Sequence, residues 1–179
     1  MILKSSRRAG TVEDAADLLE HLLNGEGNET VREIGMPGCI ARALDDARLV
    51  ARDSRDAAWH LSVSPAVPLT DAQWVRVKAV LRHAYSLPND LPVTWVEHCK
   101  PHRPGVRDDQ RPPHRHAVFP SWDPVSGRRI SPYRHYLLNE RISRQLEREF
   151  GHPHVKGRHN RHGPWQGFVR DPHTSAPLR

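Results

Sequence analysis

The sequence predicts an α+β fold, in which a central, mostly antiparallel sheet is covered by helices. Three observations lead there. Strand-like and helix-like stretches alternate over roughly the first 150 residues. Several of the joins between them are hairpin-like, rich in Gly, Pro, Asn and Asp. Each helix-like stretch carries a single apolar stripe, which needs a flat apolar partner to cover it.

Taken in order, ILKSS (2–6) is a short first strand. Thr11 caps the first helix, with Asp14 in the acidic position of a capping box. Leu18, Leu19, Leu22 and Leu23 form that helix's stripe, and Asn24-Gly25 ends it. NETVREIG (28–35) is a short strand. A second helix over 38–53 places Ile40, Leu44, Ala47 and Ala51 on one side. AAWHLSVSP (57–65) is a strand that stops before Pro65. Thr70 and Gln73 make a second capping box, and Trp74, Val77, Leu81 and Ala84 follow at helical spacing. VTWVEHC (93–99) is apolar enough for a central strand, and HRHAVFPSW (114–122) is the next. Pro120 argues for an edge position or a bulge near that strand's end. DPVSGRRI (123–130) reads as a turn. Ser131 caps a last helix with Pro132 at its first position. Its inner stripe is Leu138, Ile142, Leu146 and Phe150, and its outer face carries Arg134, Arg141, Arg144 and Arg148. Beyond Gly151 no periodicity lasts, so the expected division is one domain over 1–158 and a basic, His- and Pro-rich tail over 159–179.

The 179 residues are enough for one domain with a real core, although the hydrophobic share is only 37%. Lys and Arg total 27 against 21 Asp and Glu, a formal net charge of +6, to which 13 His add as pH falls. That balance favours polyanionic partners without choosing among them. The two cysteines, Cys39 and Cys99, are far apart and form neither a C-x-x-C pair nor a disulfide framework. MILKSSRRAG has no apolar core of a leader, and no run approaches the ~20 apolar residues of a membrane span. The expectation is a soluble cytoplasmic protein with no membrane partner.

The chemistry centres on three histidines, His98, His114 and His116. A His-x-His pair on a strand turns both rings to one face, because side chains alternate with a period of two. With His98 on a flanking strand, three imidazoles converge and form a plausible site for one divalent ion. Neutral imidazoles suit Zn, Mn, Co or Ni, and hold Mg or Mn less tightly when phosphate completes the shell. A structural zinc site is the weaker reading, since such sites are closed by four ligands and favour cysteine. His60 lies between Trp59 and Leu61 and either faces the same site or satisfies a backbone carbonyl. His102 is a substitute ligand, and His154, His159 and His162 belong to the basic tail.

Candidate nucleophiles are His21, in LLEHLLNG, and Tyr133 and Tyr136 at the start of the last helix. Tyr85 ends a helix and reads as structural. Attack by His21 on phosphorus requires a neutral ring with one nitrogen free. If nucleic acid binds, Arg7, Arg8, Arg128, Arg129, Arg141, Arg144 and Arg148 are the candidate phosphate contacts, supplying affinity and its salt dependence. The plainer alternative is a solvated charged face, partly balanced by Glu140, Glu147 and Glu149. Trp95, Trp122 and Trp165 are candidate stacking surfaces for bases, while Trp59 and Trp74 read as core.

The order HLSVSP (60–65), VTWVEHCK (93–100), HRHAVFPSWDPVSGRRIS (114–131) and RQLEREFG (144–151) resembles plasmid mobilisation relaxases, nucleases of the histidine-hydrophobe-histidine superfamily. LLEHLLNGEGNETVREIG (18–35) is similar to the relaxase opening, and the likeness covers most of 1–158. Arg115 stands where the superfamily name has a hydrophobe. The resemblance implies a central antiparallel sheet with helices on one side and one divalent ion, Mn or Mg, held by His98, His114 and His116. It implies nicking of single-stranded DNA at the transfer origin of a plasmid or mobile element, with a covalent link to the 5′ phosphate and later strand transfer. Accessory mobilisation proteins are possible partners of such an enzyme. Many relaxases carry a Tyr-Leu-Leu string in the first helix. Here it is His21-Leu22-Leu23, so the resemblance makes His21 the nucleophile or marks a DNA-binding relative that forms no adduct. A hydrolytic metallophosphoesterase, which activates water instead, is the remaining alternative.

Overall fold

A computed structural model describes residues 1–24, 30–35, 38–51, 56–100, 112–131 and 134–156. The elements run β1 (Ile2–Ala9), α1 (Val12–Asn24), β2 (Thr30–Ile34), α2 (Cys39–Ala51), β3 (Asp56–Ser64), α3 (Asp71–Ala84), β4 (Thr94–Cys99), β5 (His114–Pro120) and α4 (His135–Phe150). The strands form one five-stranded sheet in the order β1-β3-β5-β4-β2, and each neighbouring pair is antiparallel. The α+β architecture is therefore the one the sequence predicts.

Alternation along the strands sorts the core into two clusters. Trp59, Leu61, Val63, Trp95, Ala117 and Phe119 point to one face and meet Trp74, Val77 and Leu81 of α3 with Ile142 and Leu146 of α4. Ala58, Val96 and Val118 point to the other and meet Leu18 and Leu22 of α1 with Ile40, Leu44 and Ala47 of α2. Helices thus cover both faces, not one. A single-sided sheet is ruled out by β4 and β5, whose apolar residues fall at odd and even positions alike.

Other departures from expectation have local causes. β1 runs on to Ala9, because Arg7 and Arg8 sit on an edge strand where charge is tolerated. There Arg7 pairs with Asp56 at 2.7 Å and Arg8 with Asp14 at 2.6 Å. Thr11 does cap α1, its Oγ1 accepting from the Asp14 amide at 3.1 Å, but the Asp14 carboxylate reaches past it to accept from the Ala9 amide. At α3 the capping box is complete in both directions. β5 is the central strand, not an edge. Pro120 is tolerated because it is the last residue of that strand, and the missing N–H is followed at once by the Ser121 amide bonding to Ala57 at 2.8 Å. The last helix begins later than Ser131 implies. Its N-cap is Arg134, in the left-handed region at φ 50°, with no side-chain cap. Gly151 closes it at φ 65°, and the His152 amide donates to Glu147 at 2.8 Å.

Among the described residues, no helix is long and apolar enough to cross a membrane. Cys39 and Cys99 are free thiols.

Candidate metal centre

α2 packs over the Val118 end of the sheet and leaves the His114 end of the same face open. Onto that open area the register brings the histidines. His98 and His114 are direct cross-strand partners on β4 and β5, and His116 pairs with Val96 one row on. The ligand nitrogens of His98, His114 and His116 all lie within 4.8 Å of one another. Their ring centroids are 5.2 Å (98–114), 4.5 Å (98–116) and 5.0 Å (114–116) apart. Imidazoles sharing one tetrahedral ion at ~2.1 Å place their centroids roughly 5 Å apart, so the three rings stand close to a binding arrangement.

A backbone hydrogen bond fixes the tautomer of His98. His98 Nε2 is 2.8 Å from the Leu22 carbonyl, which can only accept. The ring must donate there, and its lone pair stays on Nδ1. His116 Nδ1 is 2.8 Å from His60 Nε2. His116 Nε2 is buried and finds no hydrogen-bond partner among the described residues. A buried polar atom without a partner is costly, and an incoming cation is one natural remedy. If Nε2 carries the lone pair, Nδ1–H donates to His60, the outer-ring arrangement typical of metal-bound histidines. Burial, reinforced by neighbouring imidazoles, pushes His116 down to about 2 and His60 down to about 4. Both rings are therefore neutral at pH 7, as ligation requires.

His21 stands on α1 above the same face, with ring centroids 5.5 Å from His116, 5.9 Å from His60 and 6.3 Å from His98. Its neighbour Leu22 supplies the carbonyl that anchors His98, so the helix carrying His21 is tied to a candidate ligand. The groove around the cluster has a volume near 820 Å³ and is lined by Lys4, Ser6, Ser62, Ser64 and Lys100 as well as His21, His60, His114 and His116.

Arg115 explains its own presence between the paired histidines. It points to the opposite face, bonds Glu97 at 2.8 Å and lies 4.1 Å above the Trp74 ring. A hydrophobe is not needed where a carboxylate and an aromatic face are supplied.

Several predicted site residues lie elsewhere. Tyr136 is exposed in the first turn of α4, stacked edge-on with His135, which packs on Trp59. That is the sheet face opposite the histidines, because Trp59 and His60 alternate, and the placement removes Tyr136 from the cluster. Tyr133 falls outside the described residues, as do His102, His159, His162 and Trp165. Tyr85 is buried, donates to Asn139 at 2.6 Å and is pushed up to about 12 by burial. Arg144 is not on an outer face: it is buried, bonding Glu147 at 3.0 Å and the Met1 carbonyl at 3.2 Å. Its side chain serves the fold, because α4 rotates that position inward against β1. Arg141 and Arg148 share the same far-side helix, the first partly buried and the second exposed. Arg7 alternates to the far face, and Arg129 shares Asp56 with it. Arg128 and Arg129 are exposed in the turn beyond the distant end of β5. Of the seven, Arg8 is on the histidine face, close enough for its charge to disfavour protonated His60. Trp95 is core rather than a stacking surface, and Trp122 is half-buried. His154 belongs to the Arg144 network at the end of α4.

Sequence reasoning missed Lys4, Ser6, Ser62 and Lys100. The signal was present in β1 and β3, where Lys4, Ser6 and Arg8 alternate with buried or far-face positions, and so do His60 and Ser62.

No family model matches this chain, and no curated protein or solved structure was found to match it.

Proposed function

We propose that the protein is a metal-dependent nuclease that cuts and rejoins single-stranded DNA at a transfer origin, with His98, His114 and His116 holding one divalent ion and His21 as the nucleophile. The observation that carries this reading is the partnerless, buried Nε2 of His116 beside the rings of His98 and His114. Three neutral nitrogen ligands leave room for substrate oxygens, the arrangement a catalytic ion needs and a structural one does not. Mn or Mg is the preferred occupant because phosphate oxygens would complete the shell, with Zn, Co and Ni as alternatives. When bound, such an ion withdraws charge from a non-bridging phosphate oxygen.

The chain's own residues supply the rest. His60 orients His116, and the Leu22 carbonyl orients His98. Lys4 and Lys100 give the groove a positive lining for the phosphate backbone. A neutral His21 directs a ring lone pair at phosphorus. The N–P bond forms as the bond from phosphorus to the 3′ oxygen breaks, and the ring proton ends on the departing 3′ hydroxyl. Reversal restores both partners, which is strand transfer. The resemblance to mobilisation relaxases supplies the choice of DNA and of a transfer origin.

The test uses Mn²⁺, single-stranded oligonucleotides spanning candidate origins, and His114→Ala. The variant loses cleavage while its circular dichroism stays that of the wild type. Unchanged cleavage by His114→Ala overturns the metal assignment.

A further inference from the structure

The five histidines on this face form two triads, not one. Besides the set already assigned, ligand nitrogens of His21, His60 and His116 also lie within 4.8 Å of one another. Their ring centroids are 5.9 Å (21–60), 5.5 Å (21–116) and 5.0 Å (60–116) apart, against the roughly 5 Å of imidazoles around one ion. The shared ring has one nitrogen to offer on each of two edges. His116 Nδ1 faces His60 at 2.8 Å, and His116 Nε2 is the buried, partnerless atom on the other edge.

We propose a second divalent-metal position formed by His21, His60 and His116 Nδ1, selective for imidazole-preferring late transition ions such as Zn²⁺, Ni²⁺ or Cu²⁺. The donor chemistry sets that selectivity. Three imidazoles and no carboxylate favour the later first-row ions at either triad, and Mg²⁺ or Mn²⁺ suits the first only with phosphate oxygens completing its shell. The His60–His116 contact is a hydrogen bond as it stands, since two nitrogens on one tetrahedral ion are about 3.4 Å apart. Binding therefore needs a shift of about half an ångström between these rings and the departure of the proton they share. With both positions filled, His116 bridges the ions as an imidazolate. His21 is the most accessible of the three ligands, at the end of α1 and on the rim of the open groove, so the ion has an entry route.

The consequence rests on the nuclease reading. An ion at this position occupies the His21 lone pair that attack on phosphorus requires. A late transition ion at this position then inhibits the Mn²⁺-supported reaction without displacing the activating ion.

Equilibrium dialysis against Zn²⁺ with metal counting tests the site without any activity. The chain has other histidines, so the quantity read is the number of ions lost on substitution. His21→Ala removes one ion, His114→Ala removes one, and the double variant removes two. His21 is only partly buried on a helix, so its substitution leaves the fold intact by circular dichroism. If His21→Ala removes none while His114→Ala removes one, the second position does not exist and the first stands. If each single variant and the double variant all remove one, a single ion is shared by the whole cluster, and the second position is likewise refuted. If His21→Ala removes one and His114→Ala none, this position stands and the proposed catalytic triad fails.

Discussion

The strand that carries the paired histidines is held from behind by Arg115, and its replacement by leucine tests that support. Arg115 Nε lies 2.8 Å from Glu97 Oε2, with both side chains about nine-tenths buried, and the guanidinium lies 4.1 Å over Trp74. Breaking a buried pair by removing one partner costs about 3–5 kcal/mol, most of it from the charge left behind. Two terms reduce this. Arg32 still reaches Glu97 at 2.6 Å from a largely exposed position. The new leucine gains part of the ~1.5–3 kcal/mol that full burial brings. Arg115→Leu alone should therefore cost about 2 kcal/mol. For a chain of this length each kcal/mol moves the midpoint by roughly 2–4 °C, so the expected drop is roughly 4–8 °C. Glu97→Leu combined with Arg115→Leu removes both charges and should recover most of the loss. Thermal unfolding of the wild type, the two single variants and the double variant closes the cycle. Metal affinity in the double variant should match the wild type, because Arg115 and the histidines are on opposite faces. A single variant as stable as the wild type, or a double variant worse than either single, refutes the reasoning.

Three further outcomes follow from the same structure. The folded values of His60 and His116 lie below the ordinary 6.5, at about 4 and about 2, so in the metal-free protein the unfolded chain binds protons that the folded chain refuses as pH falls below 6.5. Stability from these rings is complete above 6.5, and roughly 3 kcal/mol of it should be gone at pH 5.5; urea unfolding at pH 7.5 and 5.5 measures this, and equal values contradict two buried neutral rings. His60→Ala should weaken Mn²⁺ binding about 10–100-fold, as loss of an orienting partner does, and isothermal titration with an unchanged affinity would show that His60 does not position His116. Arg144→Ala should destabilise by about 3 kcal/mol, because it strips a partner from buried Glu147. Arg148→Ala, at an exposed position, should change stability by less than about 0.5 kcal/mol, and chemical denaturation ranks the two.

The sheet was legible because its strands are long enough for their alternation to count. Trp59-His60-Leu61 and Trp95-Val96-Glu97-His98 announce two differently used faces, and the capping box at Thr70 and Gln73 fixes the start of α3. The metal candidates were legible for the same reason, since period two alone brings His114 and His116 together. What was not legible depended on which strands become neighbours. The pairing of β3 with β5 places His60 against His116, and no local pattern encodes a contact across 56 residues. Arg144 misled because a helix rich in Arg and Glu looks solvated, whereas α4 turns Arg144 and Glu147 toward β1 as a buried pair. Residue type alone singles out Tyr136 at the start of α4. Which face of the sheet that helix covers is decided by Ile142 and Leu146 meeting Trp59 and Phe119 in one cluster.

In the proposed reaction His21 forms a covalent bond to a DNA phosphate next to a metal held by three histidines. The most direct measurement is intact mass after incubation with Mn²⁺ and single-stranded oligonucleotides spanning candidate origins, read without strong acid because a P–N bond is acid-labile. The expected result is a protein–DNA adduct in the wild type that is absent from His21→Ala. An adduct that persists in His21→Ala, or cleavage with no adduct in the wild type, contradicts it.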